Sequence, residues 1–226
     1  SFIFCLLSFS VSAFQVRPMV ADLSSQGSQS QQTLRIINPS DKPLTIDVSA
    51  FNMSIRVGKL FEAISMAPQI TISSVEGAAM AGAFGIACST DFLVTMSDAK
   101  YALTETKIGL TPAQIAPYVI KRLGFSNAKR LMLMGTLFNG KKAFEMGMAD
   151  YVADNEIEFS EQINSIKNQV NKCAPSAIGV TKKILNSHIN IDAEEAALIF
   201  SNCVIHEEGL EGLASFFEKR KPYWNK

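Results

Sequence analysis

The sequence predicts a mixed α/β chain that ends in helices and opens on a short strand-like segment of different texture. Three observations carry this. Apolar and polar residues alternate between Phe14 and Met53, as in Thr33-Leu34-Arg35-Ile36-Ile37 and Leu44-Thr45-Ile46-Asp47-Val48, which suits half-buried strands. After about Arg56 helical periodicities alternate with short apolar runs, and the turns become glycine-based. From about residue 153 onward the remaining periodicities are helical. The expected divisions are residues 1–13, 14–53, 54–152 and 153–226.

Phe2 to Ala13 is a short apolar run ending Val11-Ser12-Ala13, the apolar core and small-x-small end of a secretory signal peptide, and too short to span a membrane. No Met or basic stretch precedes it, so the start of the gene is expected to be missing. The strands of residues 14–53 are interrupted by the Ser/Gln-rich stretch Ser24 to Gln32 and by the turn Asn38-Pro39-Ser40-Asp41. Arg56 to Met66 places Val57, Leu60, Phe61 and Ile64 on one helical face, and Gln69 to Val75 reads as a strand. Phe92 to Thr95 and Tyr101 to Thr104 are further strands. Pro112 to Arg122 reads as a helix with proline in its first turn that stops before Gly124. Ser126 can cap the next helix and Gly135 can close it. Phe159, Ile163, Ile166 and Val170 share a face of another helix, and Asp192 with Glu195 makes a capping-box-like start for the last one.

With 226 residues, 47% of them hydrophobic, the chain can bury one large core or two small ones. Lys+Arg and Asp+Glu each number 21, so no net field draws the chain to nucleic acid or to an anionic membrane, and a partner must be found by local chemistry. Cys5, Cys88, Cys173 and Cys203 are too scattered for a zinc site or a disulfide framework and are expected to pack as small apolar groups. No metal site is expected. His188 and His206 lack metal-ligand or triad spacing and read as surface or helix histidines.

Chemistry concentrates in Ser74-Val75-Glu76-Gly77-Ala78-Ala79-Met80-Ala81-Gly82-Ala83-Phe84-Gly85, a strand running through small residues into an apolar helix. Small side chains let a ligand approach the backbone, and free N–H groups at a helix start can bind developing negative charge. Tight packing of strand against helix needs small residues equally, and spacing leaves both readings open. Gly77 and Gly82 do not fit a dinucleotide fingerprint. Glu105 follows the strand Tyr101 to Thr104; a carboxylate at a strand end facing that helix start can serve as a general acid/base in an apolar pocket.

Two resemblances follow from these motifs. Phe14-Gln15-Val16-Arg17-Pro18, Thr33 to Asn38 and Lys42-Pro43-Leu44-Thr45-Ile46 are similar to the first strands of the periplasmic pilus-chaperone family, an immunoglobulin-like sandwich that needs about seven strands. Pro68 to Gly85, Ser97-Asp98-Ala99-Lys100-Tyr101 through Glu105, Gly109-Leu110-Thr111-Pro112, and Glu208-Gly209-Leu210 to Phe216-Phe217-Glu218-Lys219-Arg220-Lys221-Pro222 resemble the crotonase (enoyl-CoA hydratase/isomerase) family from about residue 55 to the C-terminus. Within it, Pro112 to Val119 is most similar to hydratases of branched, glutaconyl-type acyl-CoA esters.

The crotonase resemblance implies a spiral of ββα turns, assembled as homotrimers or dimers of trimers, acting on an acyl-CoA thioester. Coenzyme A is then part of the substrate and no separate cofactor is expected. It implies an oxyanion-binding N–H at Gly82, an acid/base at Glu105 and a pocket between them. It also implies substrate contacts at Ala81, Ala83, Gly85 and Pro112, and contacts of Lys219 and Lys221 with CoA phosphates; read plainly, Lys219 to Lys221 is a basic helix end. The family's hydratases often use a second glutamate, whose position holds Gly85, so isomerase or single-glutamate hydratase chemistry is equally open. Nothing before Met53 matches the family's front strands and second oxyanion loop. The whole is therefore expected to be a chimera, with an N-terminally truncated and weakly active crotonase as its larger part. The crotonase part implies the cytoplasm and the signal-like segment the periplasm. The rival readings are a secreted chaperone-like binding module with a non-catalytic remnant, and a folded but inactive crotonase relative.

Overall fold

The computed structural model describes residues 46–186 and 191–225, and the chain divides into two units, Ser1–Val57 and Gly58–Lys226. The signal-like segment, most of the chaperone-like strands and His188 lie outside the described residues. The first described element is helix α1, Ile46–Met66, so the expected strand around Ile46-Asp47-Val48 and the expected division at residue 53 both fall within a helix. The reason is cooperative: no Pro or Gly interrupts the chain between Pro43 and Gly58, and extending a helix already nucleated by its packed face adds one hydrogen bond per residue fixed. In the second unit that face buries Phe61 and half-buries Ile64, while Leu60 is exposed.

Two ββα turns follow one another. The first is β1 (Ile72–Val75), β2 (Ala78–Met80) and α2 (Gly82–Ser89); the second is β3 (Phe92–Met96), β4 (Lys100–Ala102) and α3 (Ala116–Met134). β1 pairs in parallel with β3, and β2 in parallel with β4, so the second turn lies alongside the first. A short strand β5 (Phe138–Asn139) adds antiparallel to β4, and β6 (Tyr151–Ala153) adds parallel to β3. Helices α4 (Gly140–Glu145), α5 (Glu156–Val170), α6 (Pro175–Asn186), α7 (Ala193–Ile205) and α8 (Glu207–Phe217) complete the chain. This is the expected ββα spiral followed by helices.

β3 reads Phe-Leu-Val-Thr-Met because it is central, covered on both faces, and such strands carry near-continuous apolar runs. One face packs Val94 against Ala153, Phe159 and Ile166, with Ile163 and Val170 beside them, the predicted stripe of α5. In the other sheet Tyr101 stacks on Phe138 at 5.6 Å, Phe84 of α2 meets Tyr101 edge-on at 6.1 Å, and the Tyr101 hydroxyl donates to Thr95 Oγ1 at 2.7 Å.

α3 begins at Ala116, not at Pro112 as its first-turn proline suggests. A helix started at Pro112 would carry Pro117 in its interior, where the missing N–H and the ring clash cost about 3 kcal/mol or more. Instead Pro117 sits in the first turn, and the Pro112 carbonyl accepts from the N–H groups of Ile115 and Ala116. Gly124, at φ 71° and ψ 162°, breaks α3 where the sequence places a stop, and Gly135 closes it in the left-handed region. Asp192 caps α7 by accepting from the Glu195 N–H at 2.8 Å. Cys5 lies outside the described residues; of the three described cysteines, Cys88 is buried as expected and its thiol is pushed up to about 12 by burial, whereas Cys173 is exposed and Cys203 half-buried.

Helix α6 is fixed to the spiral by polar groups that periodicity did not reveal. Lys182, nearly inaccessible, donates to the Gln69 carbonyl at 2.7 Å and pairs with Asp91 at 2.6 Å; the same Asp91 oxygen accepts from the Thr71 N–H and hydroxyl. Arg122 of α3 donates to the carbonyls of Thr90 and Met148 and pairs with Asp150. By contrast α7 and α8 leave Leu198, Phe200, Leu210, Leu213 and Phe216 exposed.

Candidate active site

The small-residue run forms the site's first wall. β2 ends at Met80, Ala81 turns the chain, and α2 starts at Gly82. Ala81 holds φ 46° and ψ −113°, a conformation that costs a residue with a Cβ about 1–3 kcal/mol and persists only where neighbours enforce it. Here the Ala81 N–H donates to the Ala102 carbonyl at 3.0 Å, extending the β2–β4 ladder, and the Ala81 carbonyl accepts from the Gly85 N–H at 3.0 Å. No side chain caps α2, so the N–H groups of Gly82, Ala83 and Phe84 have no intrahelical acceptor. Gly82 is exposed, Ala83 half-buried, and the helix dipole adds partial positive charge at this end.

Glu105 forms the second wall. Met80 pairs with Ala102 across parallel strands, so the chain leaves β2 towards Gly82 and leaves β4 towards Glu105 at the same, carboxyl end of the pair. Ligands of parallel α/β sheets bind outside that end. Glu105 opens a 3₁₀ turn, Glu105–Ile108, whose carbonyls are closed by the Gly109 N–H and which the Thr106 hydroxyl ties to the Met132 carbonyl of α3 at 3.1 Å. Glu105 Oε2 is buried without a hydrogen-bond partner, and burial raises the carboxyl above the ordinary glutamate value, opposed by a backbone hydrogen bond. A raised carboxyl at the same sheet end as uncapped N–H groups can, where a ligand spans the two, exchange a proton with carbon next to a polarised carbonyl.

The remaining expected site residues divide. Gly85 lies one turn into α2 and is buried; a Cβ there would stand 2.7 Å from Phe61 Cζ and 3.1 Å from Ile115 Cγ1. The room a second carboxylate would need is filled by an aromatic ring and an isoleucine. Pro112 is buried and anchors the turn into α3. Lys219 and Lys221 are exposed and lie beyond the Glu218 cap of α8, outside its last turn, while Arg220 turns back onto Glu211 and Glu218. Hence their plain reading as a dipole-complementing helix end is corrected. The pocket expected between Gly82 and Glu105 is not among three sizeable cavities, which lie among α6, α7 and α8 and under α1, α3 and α6, so the two residues share a sheet end and not one of these cavities. Among the described residues no three His, Cys, Asp or Glu side chains gather as metal ligands, and no helix is long and apolar enough to cross a membrane.

The sequence named Ala81 as a substrate contact but not its strained backbone, which nothing in its residue type announces, and gave no sign that Phe61 and Ile115 reach Gly85 from distant elements.

The profile of the Enoyl-CoA hydratase/isomerase family matches residues 49–226. The chain belongs to this family. It is 28% identical to the crotonyl-CoA hydratase of Syntrophomonas wolfei over 168 residues, 72% of this chain and 64% of that protein. It is also 28% identical to the short-chain-enoyl-CoA hydratase of Clostridium acetobutylicum over 171 residues, with the same shares. The chain thus spans less than two thirds of these relatives' length. Among solved structures, Pseudomonas aeruginosa AtuE superposes with a TM-score of 0.76 at 33% identity, covering 79% of this chain and 71% of that one. An enoyl-CoA hydratase/isomerase from Marinobacter aquaeolei gives 0.76 at 31%, covering 83% and 73%. The match begins inside the segment assigned from sequence to a chaperone-like start.

Two outcomes test this geometry. Gly85→Ala forces the Phe61 ring aside and lowers stability by about 1–3 kcal/mol in urea unfolding, and Phe61→Leu in the same chain recovers part of the loss; equal penalties in both backgrounds would mean the contact is not made. Because the folded state raises the Glu105 carboxyl, the stability linked to its protonated form is lost as pH rises through the folded value. Glu105→Gln should therefore melt higher than the parent at pH 8, with the difference vanishing below about pH 4, where the parent carboxyl is neutral folded or unfolded. A difference independent of pH would show that Glu105 is not desolvated.

Proposed function

We propose that the chain acts on an enoyl-CoA thioester, with the Gly82 N–H polarising the thioester carbonyl and Glu105 moving the proton. The carrying observation is the pair at the carboxyl ends of β2 and β4: uncapped N–H groups at the start of α2 and a buried, unpaired carboxyl oxygen on the turn after β4. Negative charge that develops on the carbonyl oxygen is met by N–H groups already in place, which need no reorganisation. The carboxylate form of Glu105 takes a proton from carbon next to the carbonyl or its vinylogous position, the enolate is held, and the same proton returns at the other carbon. For hydration the proton comes instead from water as its oxygen adds to the β-carbon, and is then delivered to the α-carbon.

The packing of Phe61 and Ile115 against Gly85 favours the proton shift, or a one-carboxylate hydration, over a mechanism with two carboxylates. Assays with crotonyl-CoA, a glutaconyl-type CoA ester and a 3-enoyl-CoA separate these. Glu105→Gln should lower kcat by about a hundredfold or more on whichever substrate turns over, while CoA-ester binding changes little. Unchanged turnover would assign the proton transfer to another group.

Self-association through α7 and α8 belongs to the same reading, because these helices leave Leu198, Phe200, Leu210, Leu213 and Phe216 exposed, and clustered exposed apolar side chains mark interaction surfaces. Phe200→Glu combined with Phe216→Glu should shift the mass in light scattering to that of a monomer; a parent already monomeric would refute it.

A further inference from the structure

At the C-terminal end of α2, eight residues and about 12 Å along the helix from Gly82, two cavities share a neck. The inner one, about 240 Å³, is lined by Asp91, Arg122 and Lys182. The outer one, about 690 Å³, is lined by Met66, Pro117 and Ile120. Tyr118, Lys121, Leu185 and Asn186 line both.

The inner chamber is lined by three cationic side chains, two of them held in place by several bonds. Arg122 is held by the carbonyls of Met148, Thr90 and Asp91 and by Asp150, and Lys182 by the Gln69 carbonyl and Asp91. A guanidinium has five N–H groups and an ammonium three, so each keeps donor capacity beyond these bonds. The carboxylates facing them are already engaged: Asp91 Oδ2 also accepts twice from Thr71, and Asp150 Oδ2 also accepts from the Leu93 N–H. Lys121 stands at the neck, exposed, with its ammonium on Asn186 Oδ1. Glu62 is the remaining carboxylate, on the outer chamber. Arg122 and Lys182 are each paired with a carboxylate, whereas the Lys121 ammonium at the neck rests on a neutral amide, and the outer wall presents Met66, Ile120 and Leu185 to water. Fixed donors at one end and an unsatisfied apolar wall at the other are complementary to a molecule with the same division.

We propose that this double cavity is a ligand site, separate from the candidate active site, for an amphipathic anion: a carboxylate or phosphate head at the neck and inner chamber, with an unbranched aliphatic tail along the outer wall. The site does not depend on the proposed reaction. Titration calorimetry of the full chain with decanoate, decyl phosphate, 1-decanol and inorganic phosphate, each below its micellar concentration, tests it. Both decyl anions should bind with sub-millimolar Kd, and decanol and inorganic phosphate at least tenfold more weakly. The tighter of the two anions identifies the head group, and either order supports the site. Lys121→Met should weaken the anions about fivefold and leave decanol unchanged, and Leu185→Asn should weaken all the decyl probes; both residues are exposed, and unchanged melting curves establish that the variants fold. Equal affinity for decanol and decanoate, anion binding indifferent to Lys121→Met, or no binding of decyl anions at millimolar concentration would overturn the proposal and leave Arg122 and Lys182 as structural ties alone.

Discussion

One hydrogen bond organises the candidate site: the Ala81 N–H donating to the Ala102 carbonyl, one step beyond the last paired residues of β2 and β4. It holds Ala81 in a backbone conformation that an alanine avoids, and that conformation lets the chain leave the strand and enter α2 at once. The N–H groups of the first helical turn thereby emerge beside the turn that carries Glu105. Without the parallel pairing, the helix start and the carboxyl would be two unrelated local features. With it, uncapped N–H groups and a half-buried carboxyl share one end of one sheet.

Packing then restricts the chemistry. The Phe61 ring and Ile115 close against Gly85, so this turn of α2 has no room for a side chain, and the proposed reaction draws on Glu105 without a second carboxylate at that position. Burial of its Oε2 keeps the carboxyl nearer its neutral form than a solvated glutamate, which is the tuning that the proposed proton transfer would need. The same absence of polar partners that costs stability is what tunes the group.

Around this apolar centre the second unit is held by charges. Lys182, Asp91 and Thr71 fasten α6 to the start of the spiral, and Arg122 ties α3 to the turn after α2 and to Asp150. α2 therefore has an uncapped, electropositive beginning and a cation-braced end, and the bracing side chains Arg122 and Lys182 line the cavity under that end.

Much of the second unit was legible in the sequence because its signals are local. The stripe of α5, the central run of β3, the Asp192 cap and the breaks at Gly124 and Gly135 each depend on residues within one element, and all are found where the pattern places them. Gly82 and Glu105 were legible for the same reason, as a helix start and a strand end. Local signals also misled: the alternation around Ile46 to Val48 is helical in the structure, and Pro112 yields to Pro117 because a helix tolerates proline only in its first turn. What depends on residues far apart could not be read. The conformation of Ala81 is imposed by Ala102, the space at Gly85 is taken by Phe61 and Ile115, and the buried Lys182 is explained by Asp91, ninety-one positions away. Sequence alone determined which backbone and side-chain groups are chemically able to act; only tertiary contacts decided which face one another, because strand pairing and packing join segments whose separation along the chain leaves no periodic trace.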